Sequence, residues 1–315
     1  MRKPFNILLL CFLFIFIVFG KTSAQNNLEG EISISGAFAL YPMTVKWADE
    51  FRKIHPDVRI DISAGGAGKG IADVLSNMVD IGMVSRAIYP EELSRNAFAI
   101  AVTKDAVVPV ISASNPLLKE LLQKGIKKDV ASDIWISGKY KTWDQAFGIK
   151  TTLSIHTYSR SDACGAAEMW AKYLGKKQED LLGVGVYGDP GLAQAVKRDA
   201  LGIGFNNIGY AYDAKTKKQI AGLRVLPIDL DGNGKIDANE DFYDSINDLI
   251  DAISKNVYPS PPARDLYFVT KGKPQKKEVI EFIRWILTDG QKFVHEAGYI
   301  ELPKDKLNSE MKKVN

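Results

Sequence analysis

Cysteine is nearly absent from this chain of 315 residues, which contains only Cys11 and Cys164. Cys11 lies in an apolar segment near the N-terminus that has the features of a removable leader, so the mature chain is predicted to retain Cys164 alone. An intrachain disulfide is thereby excluded for the mature chain. Its stability must come from hydrophobic cores, and 291 residues suffice for one large domain or two ordinary ones.

A long hydrophobic run is also missing. The apolar run 7–19 has 13 residues, whereas a membrane-spanning helix needs about 20. Arg2 and Lys3 precede this run, and the small residues 22–24 follow it. We therefore predict a signal peptide over residues 1–24, cleaved before Gln25, and a periplasmic protein; an uncleaved anchor is the weaker alternative.

The mature chain has no net charge. Removal of residues 1–24 lowers the number of basic residues from 41 to 38, equal to the number of acidic residues. The chain also lacks a basic stripe with interleaved aromatic residues, the usual footprint of a nucleic-acid-binding surface. We therefore expect no nucleic-acid partner.

Strand-like and helix-like patterns alternate along the chain, which predicts an α/β fold with mainly parallel sheets. Three stretches of glycine and small residues, at 35–43, 63–70 and 159–166, each lie between a strand pattern and a helix pattern. The first turn of a helix offers unpaired N–H groups and a partial positive charge, so these stretches are candidate anion sites. If they converge, they form one ligand cleft.

The apolar run 106–111 is predicted to carry the chain out of a first lobe, and the proline-rich segment 258–262 precedes a strand that returns to it. These features predict two lobes. We assign residues 25–109 and 264–315 to lobe I and residues 110–263 to lobe II.

Several motifs, in order, resemble those of phosphate-type periplasmic substrate-binding proteins of ABC transporters. They comprise Gly36 with 39–42, the loop 65–70 followed by 79–82 and 85–86, Arg160-Ser161-Asp162 with Gly165, and the segments 136–139, 202–205, 289–292 and 298–300. The resemblance covers nearly all of the mature chain.

This resemblance implies a two-lobed type II periplasmic binding protein fold with a two-strand hinge and a ligand cleft between the lobes. It implies a monomer that binds a small anion, most simply inorganic phosphate, and delivers it to an ABC permease in the inner membrane. The implied ligand-binding residues are Ala37, Phe38, Ala39, Ala67, Gly68, Ser85, Arg86, Arg160, Asp162, Cys164, Gly165 and Ala166.

Five of these positions lack the hydroxyl groups that such loops usually carry. They are Ala37, Phe38, Ala67, Cys164 and Ala166. A hydrogen bond to a charged ligand contributes roughly 1.5–3 kcal/mol, so another oxyanion or a small carboxylate stays open as the ligand. A receptor that reports ligand occupancy to a sensor also stays open.

Arg160 can grip an anion through its planar guanidinium, with Asp162 orienting it, or the two can form a structural ion pair; both roles can coexist. Ser85 and Arg86 can contact the ligand or simply end a strand. The loop 65–70 does not match a nucleotide-binding motif, because Lys69 is followed by glycine rather than serine or threonine.

Cys164 near a helix start suggests a hydrolase nucleophile as an alternative function. A base is needed, and His156, eight residues upstream, is the nearest histidine along the chain. A packed, unreactive thiol is the favoured interpretation, and we predict that the protein is not an enzyme.

Residues 229–240 match every position of the EF-hand calcium loop. The predicted Ca²⁺ ligands are Asp229, Asp231, Asn233, the carbonyl of Lys235, Asp237 and Glu240. The segment 223–228 before the loop has a strand pattern, and a helix containing Phe242 and Ile246 is predicted after it. A single loop of this kind favours a structural ion over a calcium sensor, and an acidic surface turn is the alternative.

Overall fold

The computed structural model describes residues 28–315. The predicted signal peptide, residues 1–24, lies outside this range. Eleven strands lie within the described residues: β1 (Gly30–Gly36), β2 (Val58–Ala64), β3 (Ile81–Val84), β4 (Ala97–Ser112), β5 (Ile126–Lys127), β6 (His156–Arg160), β7 (Val184–Val186), β8 (Gly202–Asn207), β9 (Leu223–Val225), β10 (Ile228–Asp229) and β11 (Ala263–Lys271).

Nine of these strands form one sheet in the order β2-β1-β3-β11-β4-β8-β6-β7, with β9 paired to β4. The two ends of the sheet are parallel, as expected for α/β units. Its middle is antiparallel, because β11 runs against β3 and β4 and because β4 runs against β8 and β9. The sheet is therefore mixed rather than mainly parallel.

Eleven α-helices cover the sheet within the same range: α1 (Tyr41–Ile54), α2 (Ala67–Leu75), α3 (Pro90–Ser94), α4 (Leu118–Lys124), α5 (Lys128–Trp135), α6 (Trp143–Phe147), α7 (Gly165–Tyr173), α8 (Gly188–Arg198), α9 (Ile246–Ser254), α10 (Lys277–Leu287) and α11 (Lys304–Val314). Three short 3₁₀ helices span Gln178–Asp180, Ile208–Tyr210 and Asp289–Phe293. No helix in the described part of the chain combines the length and apolar character needed to cross a membrane.

The fold has two lobes, each with its own hydrophobic core. One core contains buried residues from 28–102 and 266–314, and the other contains residues from 106–263 together with Ile300. Strand β4 belongs to both lobes: its first part pairs with β11, and its second part, from Val107, pairs with β8. The chain leaves the first core along β4 and returns to it along β11.

Two local predictions around the acidic loop are corrected. The segment 223–228 is interrupted after Val225, so that β9 and β10 join different sheets; Pro227 cannot donate a backbone hydrogen bond there. Phe242 lies before α9 rather than in it, because the Ser245 hydroxyl accepts a hydrogen bond from Asp248 N and caps the helix at that point.

Candidate functional site

The three glycine-containing stretches adopt the predicted strand–loop–helix geometry and meet between the lobes. The carbonyl of Gly36 accepts hydrogen bonds from the N–H groups of Gly65 and Gly66 at 2.9 and 3.0 Å, which join the first two loops. The third loop reaches them across the cleft, because Gly68 N–H donates to the carbonyl of Ala163 at 3.1 Å. The convergence that a single ligand cleft requires is therefore present.

The absence of a side chain at Gly165 allows this residue of lobe II to lie close to Ser85 of lobe I. A Cβ atom at this position would lie 2.2 Å from the carbonyl oxygen of Ser85, far inside van der Waals contact. Gly66, with φ of +91°, has a backbone conformation that side chains rarely adopt. Position 165 therefore requires glycine while the lobes are in contact, and position 66 requires it for its backbone conformation.

Five backbone N–H groups in the three loops make no hydrogen bond within residues 28–315. Those of Ala67, Gly165 and Ala166 lie in the first turns of α2 and α7, and those of Phe38 and Ala39 lie in the turn before α1. Unpaired N–H groups in the first turn of a helix are the standard donors of an anion site. The hydrogen-bond donors available to an anion are thus backbone groups, and the lack of side-chain hydroxyls does not remove them.

The small side chains of the loops belong to the two hydrophobic cores. Ala37, Ala39 and Ala67 pack in the core of lobe I, and Cys164 and Ala166 pack in that of lobe II.

Phe38 lies between the lobes. The centre of its ring is 5.8 Å from the guanidinium carbon of Arg160, and its carbonyl accepts a hydrogen bond from the Tyr210 hydroxyl at 3.1 Å.

Arg160 forms two buried ion pairs. Its Nε and Nη2 donate to the two oxygens of Asp162 at 2.8 and 2.7 Å, and its Nη1 donates to Asp189 at 2.7 Å. Burial disfavours the charged form, but the carboxylates of Asp189 and Asp162 outweigh this effect and raise the pKa of Arg160 above its usual range. The ion pair predicted with Asp162 is present, and Arg160 reaches the cleft as part of a fixed cluster.

The cluster is connected to the hinge by three further polar residues, Asp189, Asn207 and Arg264. No sequence motif marked these three positions. Asn207 Nδ2 donates to Asp189 at 2.6 Å, and Arg264 Nη2 donates to Asn207 Oδ1. Arg264 Nε also donates to the carbonyl of Ser85 at 3.3 Å. The one available signal was a charged residue, Arg264, just before the strand predicted to follow the segment 258–262.

Asp105 faces Arg264 from the neighbouring strand at 3.5 Å. Burial raises its pKa to about 6, although the charge of Arg264 and the backbone N–H of Ala106 act in the opposite direction. A carboxyl whose pKa is raised by burial therefore lies at the crossing between the lobes.

Arg86 is also held by acidic side chains. Its guanidinium pairs with both oxygens of Glu92 at 2.7 and 2.9 Å, and its Nε lies 3.3 Å from Glu168 in lobe II. Lys69 pairs with Asp73 one helical turn away. The predicted role of Arg86 as a ligand contact stays a prediction, but its charge is already balanced within the protein.

Cys164 lies at the N-terminal cap of α7, where its Sγ accepts a hydrogen bond from Ala167 N at 3.5 Å. Burial raises the pKa of its thiol to about 12, although the charge of Arg160 acts in the opposite direction. His156 is paired with Asp199 at 2.7 Å instead. A buried thiol with so high a pKa favours the packed, unreactive interpretation over a nucleophile.

The acidic loop brings part of the predicted calcium ligand set together. Oxygen atoms of Asp229, Asp231 and Glu240 lie within 4.8 Å of one another. Asp229 and Glu240 are 3% and 1% exposed, which is rare for carboxylates. Each oxygen of Asp229 accepts one backbone N–H, from Gly232 and Gly234.

The remaining ligand residues are nearby but satisfy one another. Asn233 Nδ2 donates to Asp231 and Asp237, and Lys235 Nζ donates to Asp237 at 2.7 Å. Four carboxylates gather in twelve residues that contain one cation, Lys235. The donor set, hard oxygens in excess negative charge, fits a Ca²⁺ ion.

Comparison with known proteins gives relatives along nearly the whole chain. The phosphate-binding protein PstS of Methanocaldococcus jannaschii is 27% identical over 91% of this chain and 87% of its own length. The protein of the same name from Staphylococcus aureus is 24% identical over 92% of this chain and 84% of its own length.

Solved structures show the same fold. A putative phosphate ABC transporter substrate-binding protein with bound phosphate from Clostridium perfringens superposes with a TM-score of 0.70 at 21% identity, covering 87% of this chain and all of that chain. An ABC-type phosphate transport receptor from Vibrio cholerae gives a TM-score of 0.61 at 18% identity, over 86% of this chain and all of that one. The family model of the PBP superfamily domain matches residues 21–290, and the chain therefore belongs to the PBP superfamily.

Proposed function

We propose that this protein is the solute-binding component of an ABC transporter and that it binds inorganic phosphate between its lobes. The observation that carries the proposal is the set of five unpaired backbone N–H groups, on Phe38, Ala39, Ala67, Gly165 and Ala166, in three loops that meet between the lobes. Relatives named as phosphate-binding proteins, aligned over nine-tenths of the chain, support the choice of phosphate.

Backbone donors explain how phosphate binding tolerates the missing hydroxyls. An N–H group that lacks a protein partner loses little when an anion replaces water, and the helix dipoles add a favourable field. Asp162 and Asp189 hold the guanidinium of Arg160 in place at the cleft and balance its charge. Closure of the lobes around the ligand removes water and strengthens each of these interactions.

Isothermal titration calorimetry with phosphate tests the proposal, with sulfate, molybdate and acetate as competing ligands. The decisive variant is Ala67→Pro, because proline at the first position of a helix is tolerated but has no N–H group. Lys277→Pro makes the same change at the first position of α10, away from the cleft. We expect Ala67→Pro to weaken phosphate binding and Lys277→Pro to leave it unchanged.

Failure of all four anions to bind at millimolar concentration contradicts the proposal. Tighter binding of acetate than of phosphate would show that the ligand is a small carboxylate and not phosphate.

A permease in the inner membrane is the implied partner, and the predicted signal peptide supports a periplasmic location for a monomeric protein. Protease accessibility in intact and osmotically shocked cells tests the location.

We also propose that residues 229–240 bind one structural Ca²⁺ ion in lobe II. Asp229, Asp231, Asn233, Asp237, Glu240 and the carbonyl of Lys235 would hold it. Ile236 N–H donates to the carbonyl of Gln123 at 2.8 Å, which ties the loop to α4. A cation there would neutralise the acidic loop and fix it against the lobe.

A further inference from the structure

Three side chains connect the two lobes at the edge of the cleft, outside the five backbone donors. Arg86 and Tyr89 come from lobe I, and Glu168 comes from α7 in lobe II. Arg86 Nε lies 3.3 Å from Glu168 Oε2, and the Tyr89 hydroxyl donates a hydrogen bond to the same oxygen. One carboxylate oxygen of lobe II thus receives two donors from lobe I.

The lobe I side of this contact is organised before the lobes meet. Glu92 pairs with Arg86 through both oxygens and also accepts the N–H of Tyr89 at 2.8 Å, which caps α3. The guanidinium lies over the ring of Tyr89, 4.0 Å from its centre. Contacts within one lobe therefore fix both donors, so little side-chain entropy remains to be lost when Glu168 arrives.

Glu168 depends on these partners. Its side chain is 19% exposed. Burial raises its pKa, whereas the Tyr89 hydroxyl and the charge of Arg86 act in the opposite direction. Both hydrogen-bond donors of this carboxylate belong to the other lobe, whereas its own helix offers only the charge of Lys172, one turn away.

We infer that Arg86, Tyr89 and Glu168 form an interlobe clasp that holds the cleft closed and thereby sets how tightly the ligand is retained. Glu168 is then an affinity-determining residue that does not touch the ligand. The clasp shifts the equilibrium between open and closed forms, and the affinity of a cleft that binds in its closed form scales with the population of that form. The expected effect on ligand release rests on the proposed function, whereas the expected effect on the closure of the lobes does not.

The test compares Glu168→Ala with Glu281→Ala, a matched helical glutamate that pairs with Arg284 at 2.9 Å inside lobe I. Small-angle X-ray scattering of the ligand-free proteins measures closure, and stopped-flow fluorescence measures release of phosphate. We expect a larger radius of gyration for Glu168→Ala and about tenfold faster release, equivalent to about 1.4 kcal/mol. Glu281→Ala should match the wild type in both.

Tyr89→Phe provides a milder variant, because it keeps the ring beside Arg86 and removes only the hydroxyl. It should also increase the radius of gyration and the rate of phosphate release, but by less than Glu168→Ala. Equal radii and equal release rates for Glu168→Ala and Glu281→Ala overturn the clasp. If no protein binds phosphate but Glu168→Ala is more open, the clasp stands and the proposed ligand fails.

Discussion

Asp189 Oδ2 lies 2.7 Å from Arg160 Nη1, and both side chains are almost fully buried. This contact joins the first turn of α8 to the end of β6, across 29 residues of sequence. Because Asp162 occupies the other edge of the same guanidinium, Arg160 is balanced by two carboxylates before any ligand arrives. The positive character of the cleft therefore comes chiefly from helix N-termini.

Arg160→Ala should lower the free energy of unfolding and the affinity for phosphate far more than Lys69→Ala does. Removal of Arg160 leaves two buried carboxylates without their partner, at a cost of about 3–5 kcal/mol. Lys69 is 48% exposed, and its pair with Asp73 one turn away is worth about 0.3–0.5 kcal/mol. Urea denaturation gives the free energy of unfolding, and calorimetry gives phosphate affinity. Equal, small losses in both variants would contradict a central role for Arg160.

Gly165→Ala should weaken phosphate binding by preventing closure. The added methyl group would lie 2.2 Å from the Ser85 carbonyl, so the lobes must separate to accommodate it. Gly209→Ala is the control, since the nearest atom there is 3.9 Å from the added carbon. Phosphate affinity and the radius of gyration with phosphate present are the measurements. An unchanged affinity in Gly165→Ala would show that this contact is not needed for binding.

Asp105 should make stability depend on pH. Its pKa in the folded protein is about 6, raised from 3.8 mainly by burial. The native state therefore binds a proton that the unfolded state releases, and the contribution to stability, full below pH 3.8, is lost as pH rises through 6. A shift of this size is equivalent to about 3 kcal/mol.

Asp105→Asn isolates this effect, because asparagine cannot ionise. The free energy of unfolding of the variant, relative to the wild type, should increase between pH 4 and pH 8. A difference that is independent of pH would show that Asp105 does not titrate in this range.

Calcium removal should lower the thermal stability of lobe II and leave phosphate affinity nearly unaltered. Extracellular calcium modules have dissociation constants of about 10⁻⁴–10⁻³ M, so chelation with EGTA should empty the loop. Glu240→Gln should reproduce the loss, and Glu281→Gln, on the surface of lobe I, should not. A melting temperature that does not respond to millimolar Ca²⁺ would refute the site.

Local sequence patterns predicted the positions of several strands and helices. The alternation of apolar residues before each glycine stretch, and the helical spacing after it, correctly located β1 with α1, β2 with α2 and β6 with α7. The crossing strand β4 was visible as an apolar run. By contrast, Phe242 was wrongly placed in α9, because the cap at Ser245 is a stronger signal for the helix start than apolar spacing.

The sequence by itself determined the strand–loop–helix units, the α/β class and the spacing of the acidic loop, since each depends on residues close together in the chain. Only the tertiary structure decided which polar side chains meet. Asp189 reaches Arg160 across 29 residues, and Tyr89 reaches Glu168 across 79. The antiparallel centre of the sheet was decided in the same way, by the return of β11 between β3 and β4. Such pairings depend on how the two lobes pack, and no local propensity encodes them.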